Sequence, residues 1–194
     1  MEKSEILNFV KNMKPKDHVI LFYSKPEDKR MVLFTYLKAG LDDGEAAAYV
    51  AGEDEVTEVR RAMKDFGLEV EKLEENEALK IIDYRQWYII NGKFNPSKTM
   101  SLWKKLYKDA LAKGFKGLRV TGEMTCFFKH KMVEELIEYE KALHRVLDLS
   151  MAAICAYNID IVAKEKDGTL FLNLIKAHST AIILGPEAGL VKSY

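Results

Sequence analysis

Glu123 ends the stretch GLRVTGEMTCFF (117–128), in which apolar Leu118 and Val120 give way to a glycine, a carboxylate, a thiol and two phenylalanines. A carboxylate at the end of a strand can hydrogen-bond a ligand hydroxyl, bind a cation or hold the next loop. Cys126 adds a thiol that a loop position would leave accessible, and Phe127 and Phe128 add an apolar wall. Strand alternation places Arg119 and Glu123 on one face, so pairing with Arg119, a lysine or backbone N–H groups is the competing role for Glu123. Cys126 and His130 stand at i, i+4 and could gather with Glu123 around an ion. Structural zinc sites draw four ligands from well-spaced pairs, so no metal site is assigned. No nucleophile, base and orienting group stand together, so the expectation is a protein without catalytic residues.

The other strand ends carry similar chemistry. Tyr23 ends HVILFY, where an aromatic hydroxyl could line a pocket and orient a ligand with one hydrogen bond. Glu53-Asp54, Asp83-Tyr84 and Tyr157-Asn158 close three further apolar runs. Trp87, Tyr88 and Phe94 could form a lid over a pocket or cover a sheet edge. Cys155 falls mid-strand in AAICAY and is expected to be a small core residue. His18 opens the first strand, at the end away from such a cleft. His178, in KAHST, closes a helix, where a cation suits the helix dipole.

These positions need a sheet. HVILFY (18–23), EAAAYVAG (45–52), ALKIIDY (78–84), GLRVTGEM (117–124), SMAAICAYNI (150–159) and TAIILG (180–185) read as strands, several of them apolar throughout as burial on both faces requires. Helical patterns fall between them, over about 26–41, 53–68, 96–113, 131–147 and 168–178, with Val56, Val59, Met63 and Phe66 turned inward in the second. Strands alternating with helices of 10–18 residues imply βαβ units: a three-layer α/β fold with a mainly parallel sheet and helices on both faces. Ligands of such sheets bind outside the carboxyl ends of the strands. Residues 1–194 read as one domain, with residues 1–16 an amphipathic helical appendage whose Ile6, Phe9, Val10 and Met13 share a face.

Composition narrows the partners. Of 194 residues, 30 are Lys or Arg and 30 Asp or Glu, a net charge of zero that gives no electrostatic case for nucleic acid or an acidic membrane surface. No apolar run reaches the roughly 18 residues of a membrane helix, and the charged N-terminus lacks a signal-peptide core. Two cysteines without a CxxC pair fit a reducing cytoplasm.

The segment HVILFYSKPEDKRMVLFTYLKAGLDDGEAAAYVAGED resembles the opening of a KaiC-type ATPase of the RecA class. Lys29 falls where the phosphate-binding lysine of that class would be, yet the rest of the loop is missing. Tyr23 and Asp28 replace its glycines, Arg30 replaces the hydroxyl that holds Mg²⁺, and Glu27 and Asp28 would repel phosphate. ATP hydrolysis is not expected, and Lys29 reads as a solvated lysine early in a helix. LRVTGEMT, AICAYNI and KAHSTAIILG join the opening segment in a pattern similar to the MEDS family, the methanogen/methylotroph DcmR-type sensory domain, over about His18 to Gly185. The resemblance implies a RecA/KaiC-like core without a functional phosphate loop, and a sensor of small hydrocarbon-derived molecules. Family members usually sit beside a histidine kinase or a DNA-binding module. No such module is visible here, so a stand-alone cytoplasmic sensor acting through a protein partner or a homo-oligomer is expected. The expected ligand-lining residues are Tyr23, Glu123, Cys126, Phe127, Phe128 and Tyr157, with His18 added by the family's HxxxFY pattern, and no cofactor. A degenerate nucleotide-binding protein and a protein-interaction module fit the same sequence as alternatives.

Overall fold

The computed structural model of the chain describes residues 3–143, 149–185 and 189–192. Its strands are β1 (His18–Tyr23), β2 (Ala46–Ala51), β3 (Leu79–Asp83), β4 (Ile89–Ile90), β5 (Lys93–Phe94), β6 (Leu118–Glu123), β7 (Met151–Asn158), β8 (Thr180–Leu184) and β9 (Gly189–Lys192). Its helices are α1 (Lys3–Lys11), α2 (Pro26–Asp42), α3 (Val56–Asp65), α4 (Val70–Glu75), α5 (Tyr84–Trp87), α6 (Pro96–Ala112), α7 (Thr125–Lys129), α8 (Val133–Leu143), α9 (Ile159–Val162) and α10 (Gly168–Lys176), with a 3-10 turn over Ala163–Glu165.

Seven strands form one sheet in the order β3-β2-β6-β7-β1-β8-β9. All pair in parallel except β9, which runs antiparallel to β8. β1, β2 and β6 are buried along their whole length, which explains why they read as unbroken runs rather than alternating ones. Ile6, Val10, Val32, Leu33, Val59 and Met63 bring α1, α2 and α3 onto one face, where Val19, Leu21 and Ile154 meet them. Trp103, Leu106, Phe127, Leu136, Leu170 and Leu174 bring α6, α7, α8 and α10 onto the other, against Ile20, Phe22, Val120 and Ala153. The result is the expected three-layer α/β arrangement.

Local sequence sets the helix starts. Proline occupies the first turn of α2 and α6, where its missing N–H costs no hydrogen bond. The Asn95, Asn158 and Asp167 side chains accept backbone N–H groups at the starts of α6, α9 and α10.

Several expectations change. The helix expected over 53–68 divides into α3 and α4, and Phe66 caps α3 at 38% exposure rather than facing inward. Residues 89–94 form a hairpin turned by Asn91-Gly92, both at positive φ, the Asn-Gly pairing such turns favour. Cys126 lies on α7 instead of in an accessible loop, and its thiol is fully buried. Of the helix expected over 131–147, Val133–Leu143 is helical and residues 144–147 lie outside the described residues.

Candidate functional site

The end of β6 abuts the segment that follows β2. The two strands pair with Val50 opposite Gly122, so Gly52 and Glu53 pass directly over Glu123. Glu123 Oε2 accepts the backbone N–H groups of Gly52 at 2.8 Å and Glu53 at 2.7 Å. Its Oε1 accepts the Tyr49 hydroxyl at 2.5 Å and the Lys29 ammonium at 2.5 Å. Glycine is required at 52: a Cβ there would sit 2.3 Å from the Glu123 carbonyl oxygen.

Lys29 is fully buried, not solvated. It lies in the first turn of α2 and reaches Glu53 at 3.3 Å and Asp54 at 3.8 Å besides Glu123. Three carboxylates around one ammonium explain how a lysine enters the core, since a buried charge must be paired. Burial alone would lower its pKa, but Glu123 and Glu53 outweigh that and raise it, so the ammonium stays charged. The Tyr23 and Thr125 hydroxyls donate to Glu53. Burial pushes the Tyr23 and Tyr49 phenols above their ordinary range, with Glu53 adding to the effect at Tyr23 and Glu123 at Tyr49. Arg30 pairs with Asp54 at 2.7 Å. Two cations thus serve three carboxylates, leaving no unmatched positive charge for a phosphate.

Arg119 shares the strand face of Glu123, as alternation requires, but does not pair with it. It donates to Glu45 at 2.6 Å and to the carbonyls of Val10, Lys11 and Tyr36. Glu123 instead takes the backbone N–H groups and the lysine.

A second polar cluster lies across the sheet, beneath α8 and α10. Glu140 of α8 stands between His18 and His178, with its Oε2 3.4 Å from His18 Nε2 and 3.5 Å from His178 Nε2. Cys155 Sγ is 3.5 Å from His18 Nε2 and 3.6 Å from Glu140 Oε2. The Tyr157 hydroxyl donates to the other carboxylate oxygen, Oε1. All four groups are buried, and one donor atom from each lies within 4.8 Å of the others. These residues could hold a metal ion. Burial, with Glu140 beside it, raises the Cys155 thiol well above its ordinary value.

The expected lining residues therefore divide among three places. Tyr23 and Glu123 join the Lys29 network. His18 and Tyr157 join the Glu140 cluster. Cys126, Phe127 and Phe128 lie on α7, where Phe127 packs on Tyr88 and Phe94 and Phe128 on Tyr157. Cys126 and His130 do not converge with Glu123: the thiol is buried against the Glu123 carbonyl, and His130 meets Tyr84 at the surface. Glu140 went unnoticed because it reads as one more charge on an amphipathic helix. Only the position of Tyr139-Glu140 on the buried side of α8 could have drawn attention to it.

Beside these clusters, past the carboxyl end of β7, a groove of about 370 Å³ is lined by Ile159, Val162, Ala163, Lys166, Asp167, Gly168 and Phe171. Phe171 packs on Phe22, with centroids 4.7 Å apart, and Phe22 on Tyr157 at 5.9 Å.

The family model described as the MEthanogen/methylotroph, DcmR Sensory domain, MEDS, matches residues 17–178. The chain belongs to the MEDS family. Its fold is similar to that of a solved KaiC-like protein from the hyperthermophilic archaeon Pyrococcus horikoshii OT3. The TM-score is 0.60 at 17% identity, covering 91% of this chain and 76% of the other. That likeness bears out a RecA/KaiC-like core. No curated protein matches the sequence. In this MEDS domain the position resembling the phosphate-binding lysine is filled by Lys29, whose ammonium is bound internally. Among the described residues, no helix is long and apolar enough to cross a membrane.

Proposed function

We propose that this MEDS domain is a non-catalytic sensor that binds a small, mainly apolar organic molecule in the groove between α9 and α10. The groove itself carries the reading. Its volume suits a small ligand, its walls are Ile159, Val162, Ala163 and Phe171, and Asp167 supplies a hydrogen-bonding group at the rim. It opens at the carboxyl edge of the sheet, where α/β folds bind ligands. The aromatic contacts from Phe171 through Phe22 to Tyr157 give an occupant a packed route to the centre of the sheet. A ligand shifts the domain toward whichever arrangement of α9 and α10 it binds better, and a protein partner or second copy reads the change. Leu172, 55% exposed on α10, stands where such a partner could meet the moving helix.

The network around Lys29 argues against the nucleotide-binding alternative, because a phosphate would have to displace Glu123 from a fully paired site. Calorimetry with ATP and Mg²⁺ is expected to give no binding heat. A panel of short-chain alcohols, acids and halogenated hydrocarbons, followed by amide NMR shifts, tests the groove directly. Binding members should perturb residues 159–171, and Ala163→Trp, which places a ring across the groove from an exposed position, should abolish those shifts while keeping the fold. Shifts confined to other surfaces, or saturable ATP binding, would overturn the reading.

A further inference from the structure

The geometry around Glu140 points to a metal centre: we propose that His18, Glu140, Cys155 and His178 bind one divalent transition-metal ion, Zn²⁺ by preference, as a closed four-ligand site. This goes beyond ligand sensing in the groove and does not depend on it.

The first argument is distance. A tetrahedral zinc with bonds of about 2.0–2.1 Å to nitrogen and oxygen and about 2.3 Å to sulfur has ligand–ligand edges near 3.3 Å for N–O and near 3.5 Å for S–N and S–O. Four of the six edges are 3.4 and 3.5 Å for the two His–Glu pairs, and 3.5 and 3.6 Å for Cys155 to His18 and to Glu140, and all four atoms lie within 4.8 Å of one another.

The second argument is orientation. His178 Nδ1 lies 2.7 Å from the Leu174 carbonyl, which can only accept, so Nδ1 carries the proton. In the neutral ring Nε2 then presents a lone pair to Glu140 Oε2, itself an acceptor when ionised. A proton or a metal cation between them resolves that opposition. The Leu174 carbonyl and the Tyr157 hydroxyl, which holds Glu140 Oε1, are the outer partners that orient metal ligands.

The third argument is charge. Two neutral imidazoles, a carboxylate and a thiolate around a dication sum to zero, the condition burial favours. Binding breaks the Cys155 S–H bond, forms the metal–sulfur bond and releases the proton to solvent. Four protein ligands leave no open position, so the ion is structural, not catalytic. It would join the start of β1, the middle of β7, α8 and the α10–β8 junction.

Cobalt substitution on the full chain decides the matter. Chelator-stripped protein titrated with Co²⁺ should take up about one ion with the intense visible bands of tetrahedral cobalt and a near-ultraviolet thiolate-to-cobalt band. Zn²⁺ should bleach both and raise the thermal unfolding midpoint. Cys155→Ser should lose the thiolate band, whereas Cys126→Ser should keep it. Circular dichroism checks that each variant folds, and the wild-type spectrum stands as a test even if a variant does not. Folded wild-type protein that develops no tetrahedral cobalt bands, or a thiolate band that survives Cys155→Ser, would overturn the proposal.

Discussion

Lys29 meets Glu123 across 94 positions of sequence and Glu53 across 24, so its burial depends on carboxylates supplied by two other strand ends. Removing it leaves Glu123 and Glu53 facing each other without their common counter-ion. Lys29→Ala should therefore cost about 3–5 kcal/mol of unfolding free energy, as breaking a buried pair does. Lys29→Met combined with Glu123→Gln should recover part of that loss, because fewer charges remain unmatched. Urea unfolding of both variants tests this, and a loss below about 1 kcal/mol for Lys29→Ala, the range of a surface pair, would contradict it. Cys126 gives a pH-dependent counterpart. Burial pushes its thiol up to about 12 from 9.0. The folded state then favours the neutral thiol, so its contribution is fully present below pH 9.0 and falls by about 1.4 kcal/mol per unit toward pH 12. Stability of wild type and Cys126→Ala measured across that window should converge as the pH rises. A constant difference would show that the thiol does not titrate differently on unfolding.

Elements bring these residues together, and Gly52 shows how tightly. The segment that follows β2 must pass over the end of β6 with no side chain at that point, since a Cβ on Gly52 would fall 2.3 Å from backbone oxygen. Gly52→Ala should force β2 and β6 apart and weaken the Glu123 cradle, with a loss of about 2–4 kcal/mol, in the range of overpacking plus a lost charge-assisted hydrogen bond. Thermal unfolding checks the loss; an unchanged midpoint would mean that the segment relaxes freely. At this scale much was legible in the sequence. The six runs became the parallel strands, and in the inner ones burial on both faces demands continuous apolar sequence, which is itself the signal; β3, at the sheet edge, is only half-buried. Short elements escaped: α7 is only five residues and its TCFFK has no cap to announce it, while Asn91-Gly92 was a turn signal with too little strand on either side to stand out. Glu123 was legible as a special residue because a carboxylate ends an apolar run. Its partners were not, since Lys29, Tyr49 and Gly52 meet it only through strand order. His18, Cys155 and His178 were each visible singly, but Glu140, the group that joins them, sits in a helix crowded with other glutamates.

Across the whole molecule, two buried polar clusters lie on opposite faces of one sheet, and β1 and β7 run between them. β1 pairs with β7 and β8, and β7 with β6 and β1, so neither is an edge. The groove, by contrast, is walled by α9, a 3-10 turn and α10, short elements with an exposed rim from Ala163 to Thr169. Regions with few buried contacts open at lower free energy than the core. Hydrogen exchange should accordingly be slowest in residues 19–22 and 152–156 and much faster over 159–169. A molecule bound in the groove stabilises the closed form of that segment by mass action and should slow its exchange in proportion to occupancy, leaving the central strands unchanged. If the ion at Glu140 is also present, stripping it should instead speed exchange at the ends it joins, around 18, 155 and 178, whether or not the groove is filled. The two perturbations map to different amides, so one experiment separates them. Exchange that slows uniformly on ligand addition would mean that the groove is not a local, separately opening unit, and would remove the physical basis for sensing through α9 and α10.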